Sequence, residues 1–148
     1  KLPPGHAQGF AYFASFNALS AHVVEASIVD GVPKVHKVTA VLDCGSVVLP
    51  DGARSQMEGG VIMSLSTALF EAVTVVDGKA EQRNFDSYRL MRMGEAPPVD
   101  VHFIESGESL GGVGEPGLPP TTPALVNALS TALGRRIRSL PVVEALQA

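Results

Sequence analysis

Residues 111–117 read GGVGEPG. Two chemistries fit that stretch. Gly112, Gly114 and Gly117 have the G-x-G-x-x-G spacing that cradles a dinucleotide pyrophosphate. Glu115, in the middle, is instead a carboxylate with glycines at 111, 112, 114 and 117, which strip side chains from both flanks so that reactants can approach it. Pro116, Pro119 and Pro120 stiffen the loop and lower its unfolded entropy. A carboxylate is a weak base in neutral water and a stronger one when buried. The plainer alternatives are an exposed turn glutamate, or one paired with Arg135 or Arg136.

Context decides against the nucleotide. A dinucleotide loop leaves a strand directly, and its last glycine already lies in the following helix. The strand ends near Glu105 and the helix starts near Pro123, so neither adjoins the glycines. Pro116 would clash inside such a turn. Where an acid should hold the ribose, about 20 residues on, stand Arg135, Arg136 and Arg138. Glu115 remains as a candidate base.

Gln56 is the second candidate, because its amide offers both a donor and an acceptor to a polar cofactor edge. It precedes Gly59 and Gly60, which each cost a helix about 1 kcal/mol relative to Ala. Gly60, Ser64 and Ala68 extend a stripe of small residues. Close packing against another element explains such a stripe, and so does the approach of a ligand or partner backbone. His6, His22, His36 and His102 form no i, i+4 pair and no cluster with Cys44, so no protein-ligated metal site is expected. His22 and His36 are expected on exposed or half-exposed strand faces. No G-x-S-x-G elbow is present.

These residues need a scaffold, and the patterning supplies one. Asp30-Gly31 and Asp77-Gly78 supply the positive φ angles of tight hairpins. The first joins an alternation of Val24, Ala26 and Ile28 to one of His36, Val38, Ala40 and Leu42. The second joins residues 73–76 to 79–84. VDVHFIE, residues 99–105, reads as a further strand. Met57, Val61, Leu65 and Leu69 make one apolar face of a helix over about residues 50–72. Leu125, Ala128, Leu129, Ala132 and Leu133 do the same for residues 123–133, with Thr122 as N-cap, Pro123 at the first helical position and Gly134 as a left-handed stop. The fold class expected is α+β: an antiparallel or mixed sheet with two main helices, in one domain of 148 residues.

Composition narrows the partners. The formal net charge is −4 and the only cationic cluster is Arg135, Arg136 and Arg138, which argues against nucleic acid. No apolar stretch approaches the roughly 18 residues of a membrane span. The hydrophobic fraction is 45% against 18% charged, which fits either a Val/Ala-rich core or a surface covered by another chain. Lys1-Leu2-Pro3-Pro4, in place of an initiator Met, reads as a start inside a longer protein. The compartment, cytoplasmic or periplasmic, stays open.

Three segments carry a resemblance. GVGEPGLPPTTPALVNAL resembles the carboxy-terminal motif of the molybdenum hydroxylases, the xanthine oxidase family. DCGSVVLPDGARSQMEGGV resembles their segment leading into a cofactor-contacting glutamine, and QRNFDSYRLMRMGEAPPVDVHF the tract between. Cys44, Met57, Asn84-Phe85 and Arg92-Met93 are most similar to the isoquinoline 1-oxidoreductase and bacterial aldehyde oxidoreductase branch. The resemblance covers about residues 9–142. It implies a carboxy-terminal molybdopterin-binding part of a large subunit that hydroxylates an aldehyde or N-heterocycle carbon using water. It implies that Glu115 is the base that activates a molybdenum-bound hydroxyl, and that Gln56 and Gly114 contact the cofactor. That cofactor would be molybdopterin with Mo, in the cytosine dinucleotide form, and the metal would be held by its dithiolene. The implied partners are the remainder of the large subunit, a small 2Fe-2S subunit carrying the iron–sulfur clusters, and a small-molecule substrate. Alone, the chain would be inactive: a fragment, a split subunit or a degenerate copy. Leu49 departs from the family's usual Asn before proline, which bears on substrate more than on reaction type. The alternative is a non-catalytic assembly or binding module that retains the fold.

Overall fold

The computed structural model describes residues 1–147. Four strands form one sheet in the order β1-β2-β3-β6: β1 (His6–Ser15), β2 (Ala18–Val29), β3 (Val32–Asp43) and β6 (Val99–Ile104). The first three pair antiparallel and β3 pairs β6 parallel, so the sheet is mixed and the fold is α+β. Two short strands, β4 (Val75–Val76) and β5 (Lys79–Ala80), make a separate hairpin. The helices are α1 (Pro50–Leu69), α2 (Thr121–Leu133) and α3 (Val142–Gln147).

The turn at Asp30-Gly31 forms as the sequence predicts, with φ of 52° and 79° between Val29 and Val32. β2 and β3 then present Val24, Ala26, Val38, Ala40 and Leu42 to one side, all fully buried. Against them α1 lays Met57, Val61 and Leu65, and α2 lays Leu125, Ala128 and Leu129, to form the core. Each large side chain so buried contributes roughly 1.5–3 kcal/mol. The opposite face of the sheet is open: Phe10, Tyr12, Leu19 and Ile104 are all exposed.

β1 is an addition to the sequence reading. Its inward residues are small, Ala7 and Gly9, which hides its alternation. The smallness lets α2 lie close. A Cβ on Gly9 would stand 2.0 Å from the Ala124 carbonyl oxygen and 2.3 Å from the Ala128 nitrogen. The turn into β2 uses Phe16 and Asn17 with φ of 52° and 57°, an arrangement glycine usually takes. A neighbouring loop supports that turn: the Asn17 side-chain amide donates to the Ser109 carbonyl at 3.1 Å and the Ser109 hydroxyl at 2.7 Å.

Three boundaries differ from expectation. α1 stops at Leu69 rather than about 72, with Phe70 leaving helical geometry at φ −133°. Beyond it, the Thr74 amide is taken by the Gln82 side chain at 2.8 Å. The β4–β5 hairpin forms at Asp77-Gly78 but keeps only two residue pairs, because both strands are exposed and no buried face extends them. α2 starts at Thr121, with Pro120 at the cap, so Thr122 is not the N-cap and Pro123 is the third helical residue. Both threonine hydroxyls have other partners: Thr121 donates to the Gly117 carbonyl at 3.1 Å and Thr122 to the Ser64 carbonyl at 3.3 Å. Gly134 ends α2 in the left-handed region at φ 66°, as predicted.

Candidate functional site

The loop after β6 is held by hydrogen bonds to residues at or just beyond the ends of β1 and β3. The Ser106 hydroxyl donates to an Asp43 carboxylate oxygen at 2.7 Å, and this bond holds the Asp43 carboxyl below its usual range. Gly111 N–H donates to the Cys44 carbonyl at 2.9 Å and Gly112 N–H to the Phe16 carbonyl at 2.8 Å. These two amides are therefore spent and cannot cradle a phosphate. With β6 ending at Ile104 and α2 starting at Thr121, the dinucleotide arrangement is absent from this loop.

Glu115 sits where the loop turns toward α2. Its side chain is exposed, while Pro116 and Gly117 are buried. The turn closes on it, since Leu118 N–H donates to the Glu115 carbonyl at 2.9 Å. The ion pairs among the described residues are His6–Glu25, Lys37–Asp100, Arg89–Glu95 and His102–Asp100, so neither Arg135 nor Arg136 engages Glu115.

The glycines around it correct the sequence reading. A Cβ on Gly111 would lie 2.2 Å from the Asn17 oxygen, and one on Gly112 would lie 2.9 Å from the Phe16 Cβ. One on Gly117 would lie 2.9 Å from the Met57 oxygen. These three glycines serve close packing within the chain. Gly114 differs: a Cβ there meets nothing within 4 Å, and its φ is not positive. Of the four, only Gly114 has the place of its missing side chain left open by this chain.

α1 forms the other wall. Gly60 faces the same loop, with its Cβ position 3.1 Å from the Gly117 carbonyl carbon. The Ser64 hydroxyl meets the Thr122 hydroxyl at 2.9 Å, and Ala68 is fully buried. The small-residue stripe thus packs on this chain's own loop and helix, which settles its cause as close packing. Gln56 is exposed one turn before Gly60. It lines a cleft of about 340 Å³ together with Val47, Val48, Leu49, Leu110 and Val113. The contact between Met57 and Gly117 adjoins Gln56 on one side and lies two residues from Glu115 on the other. The fold therefore brings the α1 and glycine-loop candidates to one edge.

Sequence reasoning misplaces His22. It is fully buried, with its ring between the Ser20 hydroxyl at 3.0 Å and the Thr121 hydroxyl at 2.8 Å. Burial pushes its pKa down to about 4. The alternation of Val24 and Ala26, extended back one step, marks His22 as inward, so the signal was present. His36 is half-buried, as expected, and stacks on His6 with ring centroids 3.8 Å apart. Among the described residues no three His, Cys, Asp or Glu side chains are grouped to hold a metal, and no helix is long and apolar enough to cross a membrane.

The residues present fit a molybdopterin group by their chemistry. They offer an amide side chain, an uncrowded glycine and a free carboxylate, which suit a group that brings its own metal ligands. Residues 1–97 match the molybdopterin cofactor-binding domain family. The chain is 38% identical over 144 residues to the isoquinoline 1-oxidoreductase subunit beta of Brevundimonas diminuta, covering 96% of this chain and 18% of that protein. It is 41% identical over 112 residues to a membrane-bound aldehyde dehydrogenase [pyrroloquinoline-quinone] of Gluconacetobacter polyoxogenes, covering 76% of this chain and 14% of that protein. Among solved structures, quinoline 2-oxidoreductase from Pseudomonas putida 86 shares the fold with a TM-score of 0.82 at 22% identity, over 88% of this chain and 18% of that one. The chain thus spans less than a fifth of the length of these relatives. With the family match across most of the sequence, and the mixed sheet and helices in the same arrangement, the chain belongs to the molybdopterin cofactor-binding domain family of molybdenum hydroxylase-type oxidoreductases.

Proposed function

We propose that this chain is the carboxy-terminal part of a molybdenum hydroxylase large subunit and supplies its catalytic base, Glu115. The observation that carries the reading is the contrast around that residue: an exposed carboxylate on a loop whose next two residues are buried, the second of them pressed against Met57. A carboxylate on a mobile turn is a poor base, because its position is not fixed; one on a clamped turn is preorganised.

Gln56 would hold a polar edge of the pterin through its amide, and Gly114 would let the group approach beside Glu115. When bound, the molybdenum cofactor, in its cytosine dinucleotide form, supplies the two-electron oxidation of a substrate C–H bond, with water as the oxygen source. A Glu115 carboxylate oxygen accepts the proton of the attacking hydroxyl as the new C–O bond forms. Overall, a C–H group and one water give C–OH, two protons and two electrons. Iron–sulfur clusters on a small 2Fe-2S subunit would take the electrons. The remainder of the large subunit would complete the cofactor site and the substrate funnel. The substrate is an aldehyde or an N-heterocycle.

Metal and cofactor analysis of the assembled enzyme tests this reading. Molybdenum and pterin in one-to-one ratio with the chain are expected. A stoichiometric complex without either favours an assembly module, and one that contains pyrroloquinoline quinone instead assigns the cofactor that the Gluconacetobacter relative's name carries.

A further inference from the structure

His22 is fully buried on the inner face of β2, and no role above uses it. Both ring nitrogens are engaged, Nε2 with Ser20 Oγ at 3.0 Å and Nδ1 with Thr121 Oγ1 at 2.8 Å. Thr121 is fully buried too, and its hydroxyl donates to the Gly117 carbonyl at 3.1 Å. A hydroxyl has one proton to give. Thr121 gives it to Gly117, so it accepts from His22, and Nδ1 must carry the ring proton. Nε2 is then the acceptor for the Ser20 hydroxyl. This neutral tautomer leaves no polar atom of the chain Ser20–His22–Thr121–Gly117 unpaired, as burial requires.

We propose that His22 is a positioning residue for the Glu115 loop, a neutral Nδ1–H strut that fixes the Gly117 carbonyl through Thr121. Gly117 stands two residues beyond Glu115, and the Leu118 N–H closes the intervening turn onto the Glu115 carbonyl at 2.9 Å. On the other side, α1 touches the same residues at Met57 and Gly60. Packing sets how near the loop lies, but a hydrogen bond also sets the direction of a carbonyl. The orientation of the turn therefore depends on His22 and Thr121. Burial lowers the His22 pKa to about 4, which keeps the ring in the neutral form at pH 7.

The catalytic consequence rests on Glu115 being the base; the mechanical link does not. A space-filling histidine could be replaced by any side chain of similar volume, whereas a strut is restored only by a donor near the Nδ1 position. The test compares His22→Leu, His22→Asn and Thr121→Val in the assembled enzyme, by amide hydrogen exchange and by kcat and KM. Asn carries an amide N–H close to the place of Nδ1. His22→Leu and Thr121→Val should each speed exchange at the Leu118 and Thr121 amides about tenfold, the factor that loss of one hydrogen bond gives. They should lower kcat by a similar factor with KM little changed, and leave exchange in β2 and β3 as it was. His22→Asn should recover most of both effects. The proposal is overturned if exchange at those amides is unchanged, or if Asn does no better than Leu. Should His22→Leu fail to fold, Thr121→Val decides, since it removes a single hydroxyl. Faster exchange with undiminished kcat keeps the mechanical link but overturns the positioning role in catalysis, and Glu115→Gln then reports separately on the base.

Discussion

Gly117 presses on α1, so that a Cβ would stand 2.9 Å from the Met57 oxygen, whereas a Cβ on Gly114 would meet no atom within 4 Å. The two flank the same glutamate. One side of the loop is held by the chain's own packing, and the other faces outward. A catalytic carboxylate needs both: a fixed base and an open approach. The same division runs through α1, where Gly60 abuts the loop and Gly59 faces open space. Glycine identity alone therefore says little about a ligand. What separates the two kinds is whether the chain itself fills the place of the missing side chain.

The largest test of the held side is acid. His22 takes up a proton near its ordinary 6.5 when unfolded but only near 4 when folded. Between those values the unfolded state binds more protons, so stability is full above pH 6.5 and falls as pH drops. The loss reaches about 3 kcal/mol below pH 4. His36, lowered by its own burial and then by His6, adds in the same direction. Urea midpoints at pH 7, 5.5 and 4 measure the slope, and His22→Asn should remove most of it. An unchanged slope in that variant would assign the loss elsewhere.

Gly117→Ala comes next. With Met57 backbone atoms at 2.9 and 3.0 Å from the new Cβ, the loop or α1 must shift. The expected destabilisation is about 1–3 kcal/mol, read by thermal or urea melting. Gly59→Ala should move the other way, by about 1 kcal/mol toward greater stability, because it removes a helix-interior glycine without meeting any atom. A destabilised Gly59→Ala chain would erase the distinction between the two glycine classes. The smallest effect on stability belongs to Gly114→Ala, within about 0.5 kcal/mol. In the assembled enzyme the same variant should lower pterin content or kcat. If both stay at wild-type level, the open side of the loop has no cofactor role.

Much of this scaffold is legible in the sequence because its signals are local. Asp30-Gly31 sets a hairpin, the four-residue repeat from Met57 sets α1, and Gly134 ends α2. The parts that escape depend on partners far along the chain. β1 reads poorly because Ala7 and Gly9 are chosen by the approach of α2, more than a hundred residues later. The Phe16-Asn17 turn carries no glycine because residues 109–112 hold it from outside. α2 begins earlier than the Thr122-Pro123 pair suggests, since the threonine hydroxyls are engaged by distant partners, Thr121 by His22 and Thr122 by Ser64. α3 is a six-residue helix with a single fully buried anchor, Val142, too short for periodicity to register. At the candidate site, the choice of Glu115 and Gln56 as candidates is legible from residue type and spacing. The purpose of Gly111, Gly112 and Gly117 is not, because it lies in backbone atoms of Asn17, Phe16 and Met57.

The most direct measurement is turnover of the assembled enzyme with Glu115→Gln, alongside its molybdenum content. The substitution keeps size and exposure and removes only the proton acceptor. With molybdenum content unchanged, kcat should fall by about 10²–10⁴-fold, the usual worth of a general base. Full turnover at full molybdenum content would contradict the assignment of Glu115 as the base.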